Sequence, residues 1–234
     1  MPSRVGGIPA RDMPYGRIVE IMDTRVRAPK QERSRLSFDK ALDAVVELLM
    51  ERRSDSFTLV EVAQRAGVST GSIYGRVSSK DDLIRAAHTR EMQRVRDEQR
   101  AVFSGGPTPG ESFGQAVERV ITTAADLLRR NAAVLAPFMF LANQDAQIAE
   151  AGAQAHAEMR EAFIAALESR AEEIAHDDPR HALEWSFTVV YSVLARWLGL
   201  GSAQEAAGQG EWWTILADLT HMVMAYLVGG RTGE

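Results

Sequence analysis

"GVSTGSIYGRVSSKDDL", residues 67–83, crowds glycines and small hydroxyl residues around one isoleucine and one tyrosine, just ahead of a helix start. As a catalytic loop it makes little sense. As the tip of a short helix meant to lie against something flat, polar and negatively charged, it does. The neighbouring residues supply the punctuation. Thr58 with Glu61 forms a capping-box pair that opens a helix running to Ala66, and Gly67 supplies the left-handed residue that ends it. Ser69 then caps a short helix with Ile73 and Val77 on its inner face, and Ser79, with Asp82 at the third helical position, caps a long helix to about Phe103. Ala63, Gly67 and Ile73 fall where a helix-turn-helix needs a close contact, a positive φ and a core anchor. The second helix of such a unit enters the DNA major groove.

Upstream, Phe38, Leu42, Val45 and Leu49, widened by Val46 and Met50, predict an amphipathic helix from Ser37 to about Arg53. With this helix in front, the motif resembles the head of the TetR family of bacterial regulators. That family carries a Gly-Val-Ser-x-Gly-x-[Leu/Ile]-Tyr-x-x-[Phe/Val]-x-[Ser/Asn]-Lys-x-x-Leu signature. Here it is met by Gly67, Val68, Ser69, Gly71, Ile73, Tyr74, Val77, Ser79, Lys80 and Leu83. The resemblance covers about residues 35–85; the rest of the chain matches only in being helical and of the right length.

On that resemblance Ser69, Thr70, Gly71, Ser72, Gly75 and Arg76 form the outward side of a recognition helix, with Arg76 the first candidate for base readout and Thr70 the second. Tyr74 and Lys80 are expected on phosphates, and Thr58 to combine capping with a phosphate contact. Arg33, Arg35 and Lys40 are placed to reach phosphates or a minor groove. Two departures from the family pattern stand out. Gly75 occupies a position often held by a large or aromatic residue, and Val77 one often held by phenylalanine. Both move the expected readout toward DNA shape or the N-terminal arm.

Charge agrees with this orientation. The net charge of −5 hides a first hundred residues at +4 and a remainder at −9, as suits one end that faces a polyanion. The absence of cysteine excludes disulfides and thiolate metal sites. Neither a signal-peptide core nor an uninterrupted apolar span is present, so the expected location is the cytoplasm. Residues 1–33 alternate Arg, Gly, Pro and acidic residues without a period and read as a flexible arm; residues 34–80 form the DNA-binding head and 81–234 a helical ligand-binding and dimerisation domain.

This second part predicts helices at 111–130, at 131–142 interrupted by Pro137, at 145–175, near 180–199 and at 211–228, with no strand alternation. The fold class is all-α. Each of the last two helices is apolar on two faces and so needs two partners, its own core and a second copy of the chain. The stripe of Leu183, Phe187, Leu194 and Leu198, with Trp212, Leu216, Leu219 and Val223, is assigned to the dimer interface. Trp185, Val189 and Val193 form a second stripe, and Trp213, Met224 and Val228 lie off the first. The resemblance also implies a small-molecule effector held among helices. Phe138, Met139, Phe140, Phe163, Trp185 and Tyr191 are the candidate lining, with Pro137 at the mouth.

Against an enzyme stands the scatter of the five histidines; only "HDDPRH", residues 176–181, has a metal-site look, and Asp-Asp-Pro there is ordinary turn and cap chemistry. No catalytic residue, metal or cofactor is expected. The expected function is a homodimeric, DNA-binding transcriptional regulator, most simply a repressor that leaves a palindromic operator when a small hydrophobic effector binds. The alternative is a helical dimer that senses ligands or contacts proteins without reading DNA.

Overall fold

The computed structural model describes residues 30–106, 108–200 and 207–229. Every regular element among them is helical: α1 (Lys30–Arg52), α2 (Leu59–Ala66), α3 (Thr70–Tyr74), α4 (Lys80–Phe103), α5 (Phe113–Leu141), α6 (Ala146–Glu168), a 3₁₀ turn (Ala171–Glu173), α7 (Pro179–Trp197) and α8 (Trp212–Gly229). The arm expected over 1–33 lies outside the described residues as far as residue 29. Residues 30–33 belong to α1 instead, which starts well ahead of Ser37. Residues 31–36 are exposed and carry no apolar period, yet they are largely good helix formers with Glu32 in the first turn.

Each cap in the head has the expected chemistry. The Thr58 hydroxyl accepts from the Glu61 amide at 3.2 Å, and the Glu61 carboxylate accepts from the Thr58 amide at 2.8 Å. Gly67 closes α2 at φ 64° and sends its amide back to Gln64. Ser69 caps α3 and Ser79 caps α4. Two ion pairs the spacing did not announce brace α2 against α1: Arg65 reaches Glu51 at 2.7 Å, and Arg52 reaches Glu61 at 2.6 Å. Leu42, Val45 and Leu49 from α1, Val62 and Ala63 from α2, Ile73 from α3, and Leu83, Ile84 and Ala87 from α4 are all buried. Ile73, 1% exposed, holds the five-residue α3 to this core. Burial of such a side chain contributes about 1.5–3 kcal/mol, which a helix of that length cannot supply alone.

The head's core does not stop at α4. Phe138 and Leu141 of α5 and Ile148 of α6 belong to the same buried cluster. Arg85 of α4 also grips Asp145 at 2.7 Å, the residue that caps α6. Head and body therefore share packing where α4, α5 and α6 meet.

Three expectations for the body are corrected. The helices placed at 111–130 and 131–142 are one, α5, with Pro137 inside it. Proline deprives the Ala133 carbonyl of its partner, but Ala133 is exposed and water can serve that oxygen. The helix expected to reach 175 stops at Glu168 and gives way to the 3₁₀ turn. The third correction is the interface stripe. Leu183, Phe187, Leu194, Trp212, Leu216, Leu219 and Val223 are buried in the protomer's own core, and half-buried Leu198 packs against it. They complete a core with Val117, Val120, Ile121, Phe163 and Leu167. The seven buried side chains are already surrounded by their own chain, and of this stripe Leu198 alone keeps accessible surface.

Candidate nucleic-acid interface and ligand cavity

Among the described residues, α3 turns one side to the core and the other to solvent. Ile73 points inward, while Tyr74, next to it, is 58% exposed. Ser69, Gly71, Gly75 and Arg76 are exposed, and Thr70 and Ser72 are half-buried. An added Cβ at Gly71 would meet nothing nearer than the Ser69 hydroxyl oxygen at 3.9 Å, so no neighbour in the chain requires glycine there. Ser69 and Ser72 share a hydroxyl–hydroxyl hydrogen bond of 2.8 Å.

The cations predicted to flank this face behave differently from one another. Arg76 rests on α1: its guanidinium donates to the Ser34 hydroxyl at 3.3 Å and lies 5.4 Å from the centre of the Phe38 ring. That contact places the start of α1 beside the end of α3, with Arg33, Arg35 and Lys40 exposed and unpaired among the described residues. Lys80 is engaged inside the head. Its ammonium donates to the Asp55 carbonyl at 2.7 Å and to the Asp55 carboxylate at 2.9 Å, beside the Phe57 ring. The same ammonium holds the Asp55 carboxyl below its ordinary range. Thr58 is likewise occupied, since its hydroxyl accepts from one Glu61 group and donates to the other. Ser34 was not anticipated; nothing in the pattern of charges marks it.

Below the head lies a cavity of about 470 Å³. Of the six residues predicted to line a pocket, Phe138, Met139 and Tyr191 do. Phe163 is wholly buried in the core, Trp185 is exposed on α7, and Phe140 is half-exposed beside a separate shallow recess that also holds Pro137. Pro137 is thus not at the mouth of the main cavity. The larger part of the wall comes from α4 and α6: His88, Met92, Val95, Arg96 and Gln99 from one, Ile148, Gly152, His156 and Met159 from the other. Their four- and three-residue spacing along α4 is the one sequence signal that could have found them. His88 packs on Phe138 with ring centres 4.9 Å apart, and burial, with Arg96 close by, pulls its imidazole down to about 4. His156 meets Tyr191 edge-on at 4.5 Å, and burial lowers it too.

The freed faces of α7 and α8 carry the remaining apolar surface. Trp185, 53% exposed, and Val193 stand on α7; Trp213, 67% exposed, Met222 and Val228 stand on α8. Of the second stripe named from the sequence, Trp185 and Val193 stand exposed, as do Trp213 and Val228, whereas Val189 and Met224 pack against the protomer's own core. In the "HDDPRH" segment Asp178 caps α7, and the His176 ring bonds to the Tyr226 carbonyl.

A helix-turn-helix head with an outward short helix, packed on a helical body with an internal cavity, defines the class. Residues 41–87 match the family model of the bacterial regulatory proteins of the tetR family, so the head is similar to the heads of those regulators. Its fold is shared by solved structures of low identity. One, from Rhodococcus sp. and assigned to the TetR transcriptional regulators, is 21% identical with a TM-score of 0.55, over 80% of this chain and 98% of its own. Salmonella enterica GusR is 18% identical with a TM-score of 0.58, over 82% and 95%. The fatty acid degradation regulator FadR from Bacillus halodurans is 17% identical with a TM-score of 0.54, over 85% and 97%. No curated protein matches the chain. Among the described residues no helix is long and apolar enough to cross a membrane.

Proposed function

We propose that the protein is a homodimeric repressor that binds a palindromic operator through α3 of each copy and is released by a small, largely apolar effector in the α4–α6 cavity. The observation that carries the DNA reading is Gly71: an exposed helical glycine whose small size serves no contact within the chain. It suits a backbone that must come close to another surface. Tyr74, Thr70 and Ser72 flank it, and Arg33, Arg35 and Lys40 supply mobile positive charge at the margin. Arg76 reaches a base only by leaving Ser34, so its role is a swing from α1 into the groove. Lys80 and Thr58 act first as braces of the head, and any phosphate contact they make is secondary.

Twofold pairing through Trp185, Val193, Trp213, Met222 and Val228 sets two heads about one helical turn of DNA apart, roughly 34–36 Å. Release follows from α4, whose first residue lies at the head and whose middle forms the cavity wall. An effector lowers operator affinity only as far as it prefers the head spacing that does not fit DNA. The protein works where the DNA is, in the cytoplasm, and as a switch rather than a catalyst.

The test is a mobility-shift titration on DNA upstream of the protein's own gene, with and without apolar candidate compounds. Specific binding that falls steeply with salt and weakens with a compound that binds the cavity supports the proposal. Binding indifferent to sequence, or no release by any compound shown to bind, overturns it.

A further inference from the structure

The cavity is uneven in polarity along its length. Arg96 and Gln99 lie one turn apart on α4, and Arg96 stands about 12 Å further along that helix than His88 by the 1.5 Å rise per residue. The near end, beside the head, is built from His88, Phe138 and Ile148, all buried, while Leu127, Leu128, Val95 and Met159 line the rest. Arg96 is the one residue in this lining with a fixed charge, because both histidines are held neutral at pH 7.

Arg96 is also short of partners. Its side chain is only 18% exposed; Nε donates to the Met92 carbonyl at 3.3 Å, and Nη1 stands 3.6 Å from the Glu158 carboxylate, beyond hydrogen-bond reach. A guanidinium has five N–H groups, so most remain unused. Gln99, 5% exposed, makes no side-chain hydrogen bond within the described residues, and neither does His88, 3% exposed. These polar groups open onto the cavity, where whatever occupies it can supply the partners that the chain does not.

We infer, taking the cavity as the effector site, that its ligand is an amphipathic organic acid: a carboxylate head on Arg96 and Gln99, with an apolar body running along α4 toward Phe138 and Ile148. The carboxylate completes the guanidinium fork and accepts from the Gln99 amide. Its rival is Glu158, which is more exposed than Arg96 and is not part of the lining. The tail ends on side chains that belong to the head's own core, which is where a filled cavity is felt by α1 and α3.

Calorimetric titration of the full-length protein at pH 7 with decanoate, decanol and decylamine, each below its aggregation concentration, separates head-group charge from chain length. Decanoate is expected to bind most tightly. Arg96→Met weakens decanoate by about 10- to 100-fold and leaves decanol within about threefold, which also shows that the variant is folded. Glu158→Gln, by removing the competing carboxylate, tightens decanoate. Decanol binding as tightly as decanoate, an Arg96→Met loss shared equally by all probes, or no saturable binding overturns the inference. In each case operator release by a non-ionic compound still leaves the effector reading standing. Conversely, decanoate that binds through Arg96 without releasing DNA removes the repressor mechanism and keeps the ligand class.

Discussion

Alanine at Gly71 separates what α3 needs to fold from what it needs to bind. Gly71 is the second residue of α3, its φ is not positive, and its missing Cβ has open space out to 3.9 Å. Glycine inside a helix costs roughly 0.5–1 kcal/mol relative to alanine, with less of that recovered so close to the N-terminus. Gly71→Ala therefore leaves the head at least as stable as the parent in a urea titration followed by circular dichroism. Against DNA the sign reverses. A methyl group forced into a close-packed contact costs about 1–3 kcal/mol, or about 5- to 150-fold in affinity for each head that must seat. Fluorescence anisotropy with a labelled operator reads that loss directly. Stability and DNA affinity that rise together, or an affinity that does not move, would refute the argument that this glycine exists for an external surface.

Thr58→Ala removes the α2 cap and lowers head stability by about 1 kcal/mol. It also alters the acid limb. The Glu61 carboxyl is pulled down to about 2, first by the Arg52 guanidinium and then by Thr58, so its contribution is complete above the ordinary 4.5 and disappears as pH falls through about 2. Urea titrations across that range should show a shallower slope in the variant. His88 acts in a higher window. Neutral in the fold down to about 4 but protonated below 6.5 when unfolded, it makes the native state lose stability as pH falls from about 6.5 to 4. His88→Gln should flatten that segment in the same measurement. Paired Trp185→Glu and Trp213→Glu substitutions on the exposed faces should convert a dimer to a folded monomer in analytical ultracentrifugation. Leu216→Glu, in the core, should instead abolish the cooperative unfolding transition.

The head was legible because its signals are local. The Thr58–Glu61 capping box, the serine caps, the Gly67 turn and the spacing of Ile73 from Ala63 each depend on residues close in sequence, and each is met by the hydrogen bonds and burial observed. What escaped reading depends on which element lies opposite. Two apolar stripes on α7 announce two partners without saying which faces inward, and the wider stripe with Leu183 and Phe187 is claimed by α5 and α6. His88, Arg96 and Gln99 look in sequence like a solvated helix face, and only the arrival of α6 turns them into a cavity wall. Lys80 carried the charge of a phosphate ligand, but Asp55 lies 25 residues away and its approach is a matter of tertiary packing. Pro137 signals a break only where the freed carbonyl has no solvent, and here Ala133 faces it.

The most direct measurement is to pass a randomised DNA pool over the full-length protein and over its Tyr74→Ala variant and sequence what each retains. An enriched motif with twofold symmetry, half-sites about one helical turn apart, and depletion of that motif by the variant are the predicted result. A pool retained without enrichment, or a motif that survives the loss of Tyr74 unchanged, would contradict the claim that the exposed side of α3 reads DNA.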